Sequence, residues 1–195
     1  MPMIETNSKR VILASQSPRR IELLKKIIAD FDVQASHVEE TMETNDPVTF
    51  VCELSKRKAM EIAAETETGI IIGADSIVVS NDRILGKPQN RNEALEMLTF
   101  LSARTHQVYT GFTIIENPEA KTFTDYEVTD VVFRKLTPWE IERYVDVAHP
   151  FDKAGSYGIQ DESAIFVDKI NGCFYNVMGL PLTTLYNSLK PFFKL

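Results

Sequence analysis

The stretch VILASQSPRRIELLKKI, Val11 to Ile27, reads as one strand, one loop and one helix in succession. Val11 to Ala14 is a short apolar run of the kind a buried strand uses. Ser17 stands where a helix N-cap would be, Pro18 suits the first helical position, and Ile21, Leu24, Ile27 and Ile28 fall on one helical face. A strand that feeds a helix through a tight loop is the building unit of α/β architectures. The helix opens with Arg19 and Arg20, although the amino end of a helix dipole already carries partial positive charge and favours an acid by ~0.3–1 kcal/mol. Two guanidinium forks beside the hydroxyls of Ser15 and Ser17 suit phosphate oxygens. A solvated first turn pairing with surface acids is the alternative, and local sequence leaves both open. Neither GxxxxGK[ST] nor GxGxxG is present.

Outward from this unit, strand and helix patterns alternate. A strand is expected around Phe31 to Ala35, then a helix from Asp46-Pro47 to about Ala64 that carries Val51, Leu54, Lys58, Ile62 and Ala63. The run GIIIGADSIVVS predicts a continuous apolar strand, and the turn NDR leads on to ILGKP. A short helix over Asn92 to Leu101 precedes HQVYTGFTIIE and TFTDYEVTDVVFRKL, a long hairpin about the turn Asn117 to Ala120. Thr137-Pro138-Trp139-Glu140 is a capping-box start for a helix over Ile141 to Val147. KAGSYGIQ then leads into SAIFV, expected as an apolar strand, and GLPLTTLYNSL closes the chain as a Pro-started helix. Nothing resembling a linker divides residues 1–195, which predicts a single domain with a disordered tail over 1–9.

Composition limits the function. Lys and Arg total 21 against 28 Asp and Glu, a net charge of −7, which argues against a coat for nucleic acid or an anionic membrane. Positive charge is instead local, in Lys9, Arg10, Arg19, Arg20, Lys25 and Lys26. Two cysteines without CxxC spacing indicate neither a disulfide framework nor a zinc knuckle, and the expected compartment is the cytoplasm. No apolar run approaches the ~18 residues of a membrane span.

Asp75 is the second chemical signal, because a carboxylate inside IIIGADSIVV either faces a cleft or needs hydrogen bonds to survive burial. Lys87, beyond the next turn, could return to the same edge. Glu39, Glu40, Lys56, Arg57 and Lys58 read locally as surface charges. His37, His106 and His149 have no metal-ligand spacing, and no GxSxG marks a serine nucleophile. Phosphate chemistry with carboxylates and cations remains.

LASQSPRRIELL, the Glu40 loop, Lys58-Ala59, GADSIVV, ILGKP, HQVYTGF, FDKAGSYGIQ and YNVMGLPL occur in an order that resembles the Maf family of nucleoside triphosphate pyrophosphatases over nearly the whole chain. The contiguous SPRR is similar to the branch acting on dTTP and UTP. The resemblance implies an elongated mixed sheet flanked by helices, with two lobes around a cleft, as in inosine triphosphatase-like relatives. It implies Asp75 as the acid that activates water and, with Glu40, as a ligand of a divalent metal, Mg²⁺ or Mn²⁺. It assigns Arg19, Arg20, Lys58 and Lys87 to the triphosphate, and Arg19, Ser76 and Gln160 to base selection; Ser15 and Ser17 join the expected substrate-binding residues through the hydroxyls of the loop read above. Three positions depart from the family pattern: Ser76 replaces a usual threonine, Asp161 a glycine after Gln160, and Ala148-His149 a Gly-Glu pair. The expected activity is hydrolysis of dTTP and UTP to the monophosphate and pyrophosphate, with a homodimer as an admissible assembly. The alternatives are a pyrophosphatase for 7-methyl-GTP or other modified nucleotides, and a non-catalytic nucleotide-binding regulator of septum formation.

Overall fold

A computed structural model describes residues 3–6 and 9–195. It contains one mixed sheet with helices alongside, in the strand order β2-β1-β3-β5-β6-β7, with β4 paired to β3. The strands are β1 (Val11–Ala14), β2 (Asp32–Val33), β3 (Gly69–Ser80), β4 (Arg83–Leu85), β5 (Thr105–Asn117), β6 (Lys121–Phe133) and β7 (Val167–Asn171). The helices are α1 (Pro18–Leu24), α2 (Pro47–Ala64), α3 (Arg91–Leu101), α4 (Pro138–Ala148), α5 (Phe174–Met178) and α6 (Leu182–Phe193). The chain divides into two compact units, the first formed by Met1–Asp75, Thr110–Glu127 and Gly179–Leu195, the second by Ser76–Tyr109 and Val128–Met178.

In the first unit β1 lies between β2 and β3, parallel to β2 through Ile12 and Asp32 and to β3 from Val11–Ile70 to Ala14–Gly73. All four β1 residues are buried, the pattern of a parallel strand covered on both faces. Helix α2 starts where Asp46 accepts a 2.8 Å hydrogen bond from Thr49 N and Pro47 fills the first turn. It buries Val51, Leu54, Ser55, Lys58, Ala59 and Ile62, a helical stripe whose Ala59 and Ile62 pack with Ile12, Ala14, Ile71 and Ile115. Two glycines let the helix approach the strands. A Cβ on Gly73 would lie 2.8 Å from Ala59 N and also collide with Ser55 O, and one on Gly111 would lie 2.5 Å from Val51 C and O. At the far end of α2, Asn117 Nδ2 donates to Ala63 O at 2.8 Å and Thr66 O at 2.7 Å, tying the end of β5 to the close of the helix.

Helix α6 buries Leu182, Leu185, Leu189 and Phe192. Both of its ends are held by residues from the beginning of the chain: Arg20 Nε donates to Gly179 O at 2.8 Å, and Lys9 Nζ donates to Phe192 O at 2.6 Å. Of the tail expected over 1–9, Met1, Pro2, Asn7 and Ser8 lie outside the described residues, while Ile4 bridges Ile28 and is buried.

In the second unit the end of β3 pairs antiparallel with β4, Val78 facing Leu85, through Asn81 and Asp82 at φ 49° and 58°, the geometry of a two-residue hairpin turn. Asn90 caps α3 by accepting from Glu93 N at 3.0 Å, and the expected Thr137–Glu140 capping box opens α4. Arg91 and Asp146 join α3 to α4 with bonds of 2.6 and 2.9 Å. SAIFV departs from its expected strand. Glu162–Phe166 is a 3-10 helix, and β7 begins only at Val167. Burial explains this, because Ser163 and Phe166 are buried and Ala164 and Ile165 exposed, a spacing of three that matches the 3-10 period rather than the alternation of a strand.

Candidate active site

Lys58 organises the charged cluster of the first unit. It lies on the buried stripe of α2, 6% exposed, where an ammonium needs close partners. Its Nζ donates to Asp75 Oδ1 at 2.7 Å and to Glu40 Oε1 at 2.6 Å. Asp75 is as buried as Lys58, whereas Glu40, on the loop before α2, keeps 42% of its side chain exposed. One ammonium thus holds an inner and an outer acid together, and loss of Lys58 would leave Asp75 buried without its counter-charge, while Lys58 without Asp75 would still have Glu40.

Arg20 belongs to the same field. Its Nη1 lies 3.4 Å from Ser15 Oγ, which also accepts from Ser17 N at 3.2 Å and so fixes the loop between β1 and α1. Burial pushes the Arg20 guanidinium below its usual value, opposed by the Asp75 and Glu40 carboxylates and reinforced slightly by Arg19. Ser17 occupies the expected N-cap position, with φ −63° and ψ 117°, yet its side chain makes no capping hydrogen bond. Since α1 has only seven residues, the anion-binding capacity of this segment rests on its guanidinium groups more than on a helix terminus.

The structure therefore brings Ser15, Arg20, Glu40, Lys58 and Asp75 together in the first unit, with Ser17 and Arg19 on the adjoining turn. Ser76, Lys87 and Gln160 belong to the second unit. There Ser76 is half-buried on β3, Lys87 is exposed after β4, and Gln160 is exposed at the third position of a turn closed by Asp161 N donating to Gly158 O at 2.8 Å. Sequence reasoning missed the Gly179 carbonyl that grips Arg20. No local signal announces a contact between residues 159 positions apart.

Among the described residues no three His, Cys, Asp or Glu side chains converge as a metal-binding group. The carboxylate pair of Glu40 and Asp75 nevertheless offers hard oxygen donors, with Lys58 bonded to one oxygen of each. Mg²⁺ is commonly held by one or two carboxylates completed by substrate phosphates and water, and this pair fits that incomplete type of site.

The chain is similar to proteins already described. A family model described as Maf-like protein matches residues 10–192. A dTTP/UTP pyrophosphatase of Bacillus cereus is 49% identical over 94% of this chain and 96% of its own length. Proteins of the same description from Carboxydothermus hydrogenoformans and Desulforamulus reducens are 46% and 45% identical, each over 93% of this chain, and 97% and 96% of their own lengths. Among solved structures, the Staphylococcus aureus Ham1 protein overlaps 64% of this chain and 72% of its own at a TM-score of 0.48 and 18% identity. The match to the family model over almost the entire chain, together with relatives of such identity and coverage, means that the chain belongs to the Maf-like protein family.

Proposed function

We propose that this protein hydrolyses dTTP and UTP to the nucleoside monophosphate and pyrophosphate. The observation that carries the reading is the Lys58 ammonium bonded to both Asp75 and Glu40 within reach of the Arg20 field, in a chain 45–49% identical to proteins described as dTTP/UTP pyrophosphatases. The reaction consumes one water and breaks the anhydride bond between the α- and β-phosphates.

Glu40 and Asp75 would hold the divalent cation, Mg²⁺ or Mn²⁺. Such a cation, when bound, lowers the pKa of a water ligand and offsets phosphate charge. Asp75 takes the proton from the attacking water. Lys58 fixes the orientation of that carboxylate through its 2.7 Å bond, which a positioned general base requires. Arg19 and Arg20 bind phosphate oxygens through paired N–H groups and stabilise charge on the departing pyrophosphate, with the Ser15 hydroxyl steadying Arg20. Lys87 adds a further cation for the triphosphate, and Ser76 and Gln160 read the base. These three come into the reading through the family resemblance. A Gln amide offers both a donor and an acceptor, the pair a pyrimidine edge requires. The reading is completed by action in the cytoplasm on the nucleotide pool, in keeping with two cysteines that form no CxxC pattern.

The test is pyrophosphate release from UTP, dTTP, CTP, 7-methyl-GTP and ITP with Mg²⁺ or Mn²⁺ present. UTP and dTTP should exceed 7-methyl-GTP and ITP in kcat/KM by ~10-fold or more, since a site built to hydrogen-bond one base edge leaves polar groups unpaired with another. A preference for 7-methyl-GTP or ITP overturns the base assignment, and nucleotide binding without pyrophosphate release overturns the enzymatic one.

The two arginines should separate. Arg19→Ala should weaken nucleotide binding by about 10-fold or more, the scale of a charge-assisted hydrogen bond, with Tm unchanged. Arg20→Ala should do the same and also lower Tm, because it releases the Gly179 carbonyl and the start of α6. Equal Tm values for the two variants would contradict the structural role given to Arg20. Titration of nucleotide affinity beside thermal melts decides the matter.

A further inference from the structure

The turn carrying Gln160 is gripped from beneath by two side chains that take no part in the mechanism above. Gly158 N donates to Tyr144 Oη at 3.3 Å, and Gly158 O accepts from Ser163 Oγ at 2.8 Å as well as from Asp161 N at 2.8 Å. Tyr144 thus holds the Gly158 amide and Ser163 holds its carbonyl. Tyr144 is 4% exposed and Ser163 0%, and buried hydrogen bonds of this kind are costly to break.

This clamp is itself anchored. The Tyr144 ring packs edge-on against Phe166 at 5.2 Å, and Tyr157, just before the turn, bonds His106 Nε2 through its hydroxyl at 2.8 Å. Burial raises the Tyr144 phenol to about 12 and lowers His106 to about 4, so neither group changes charge near neutral pH. Ile159 is buried, and Lys153 meets Asp161 at 3.5 Å. Both flanks of the turn are thus tied down while the Gln160 side chain faces outward.

We propose that Tyr144 and Ser163 are positioning residues for base selection, holding the Gly158–Asp161 turn so that the Gln160 amide meets the base edge in one orientation. The inference rests on the reading of Gln160 given under the proposed function. A hydrogen-bonding reader discriminates in proportion to how well it is held before the base arrives. Loosening its support should therefore affect selectivity before it affects chemistry.

The experiment compares Tyr144→Phe and Ser163→Ala, each in the wild-type and the Gln160→Ala background, by kcat and KM for UTP and ITP and by Tm. Each single variant should lower the UTP to ITP ratio of kcat/KM by about three- to tenfold, the range of one hydrogen bond. The loss should come through KM for UTP, with kcat for UTP within about twofold of wild type. In the Gln160→Ala background neither substitution should change the ratio further, as expected of residues acting through one another. If Gln160→Ala narrows the ratio and the clamp variants do not, the proposal falls and the reading of Gln160 stands. An equal effect of the clamp variants with and without Gln160 also overturns it. If Gln160→Ala leaves the ratio unchanged, the reading of Gln160 falls and takes the proposal with it.

Discussion

Asp75→Asn should lower turnover by ~10²-fold or more, the contribution typical of a general base, with nucleotide affinity largely kept. Asparagine preserves the size of the side chain and still offers an oxygen to the Lys58 ammonium, while removing the basic carboxylate. The cost to folding should be modest, because Lys58 retains its 2.6 Å bond to Glu40. Alanine would be the worse choice, since it leaves a cavity and a buried cation with one partner fewer. Single-turnover pyrophosphate release beside thermal melts separates the effects. Near-wild-type turnover would remove Asp75 from catalysis, and a collapse of Tm with little loss of rate per folded molecule would make it structural.

Gly73→Ala, two residues earlier, should harm both stability and rate. The added methyl would meet the backbone of α2 at Ser55 O and Ala59 N, and backbone cannot rotate aside as a side chain tip can. Overpacking of this kind costs ~1–3 kcal/mol or more, which for a chain of this size lowers Tm on the order of 5 °C. The helix that must retreat is the one carrying Lys58, so the bond from Lys58 to Asp75 should lengthen and turnover should fall as well. A wild-type Tm in the Gly73→Ala variant would mean that α2 does not lie against β3 as described.

How much of this was legible beforehand depends on whether the signal was local. The strand, loop and helix around Arg19 and Arg20, the Asp46 and Thr137 caps and the β3–β4 turn are written in adjacent residues, and the structure shows each. SAIFV misled because a short apolar run does not distinguish strand from 3-10 helix; only its spacing of buried residues does. In the site, Asp75 was visible as an acid within an apolar strand, whereas Lys58 read locally as a surface charge and is in fact buried, because it shares the helical face of Val51, Leu54 and Ile62. That one ammonium serves both Asp75 and Glu40 was not visible, and neither were the grip of Gly179 on Arg20 and the hold of Tyr144 and Ser163 on Gly158. All three are fixed by packing that no pattern of adjacent residues announces.

The grip on α6 has a consequence for the order in which the molecule is made. Arg20 waits for a partner synthesised 159 residues later, and at ~5–20 residues per second that is a delay of roughly ten to thirty seconds. Every segment of the second unit, through Met178, has been translated before the first unit receives its last one, which starts at Gly179. The unit begun first on the ribosome is therefore the last that can be finished. Until residues 179–195 emerge, the guanidinium assigned to phosphate lacks its carbonyl, and the apolar surface that α6 covers stays open to solvent. Closure of α6 is thus the step that ends both the folding of the first unit and its exposure to wrong partners.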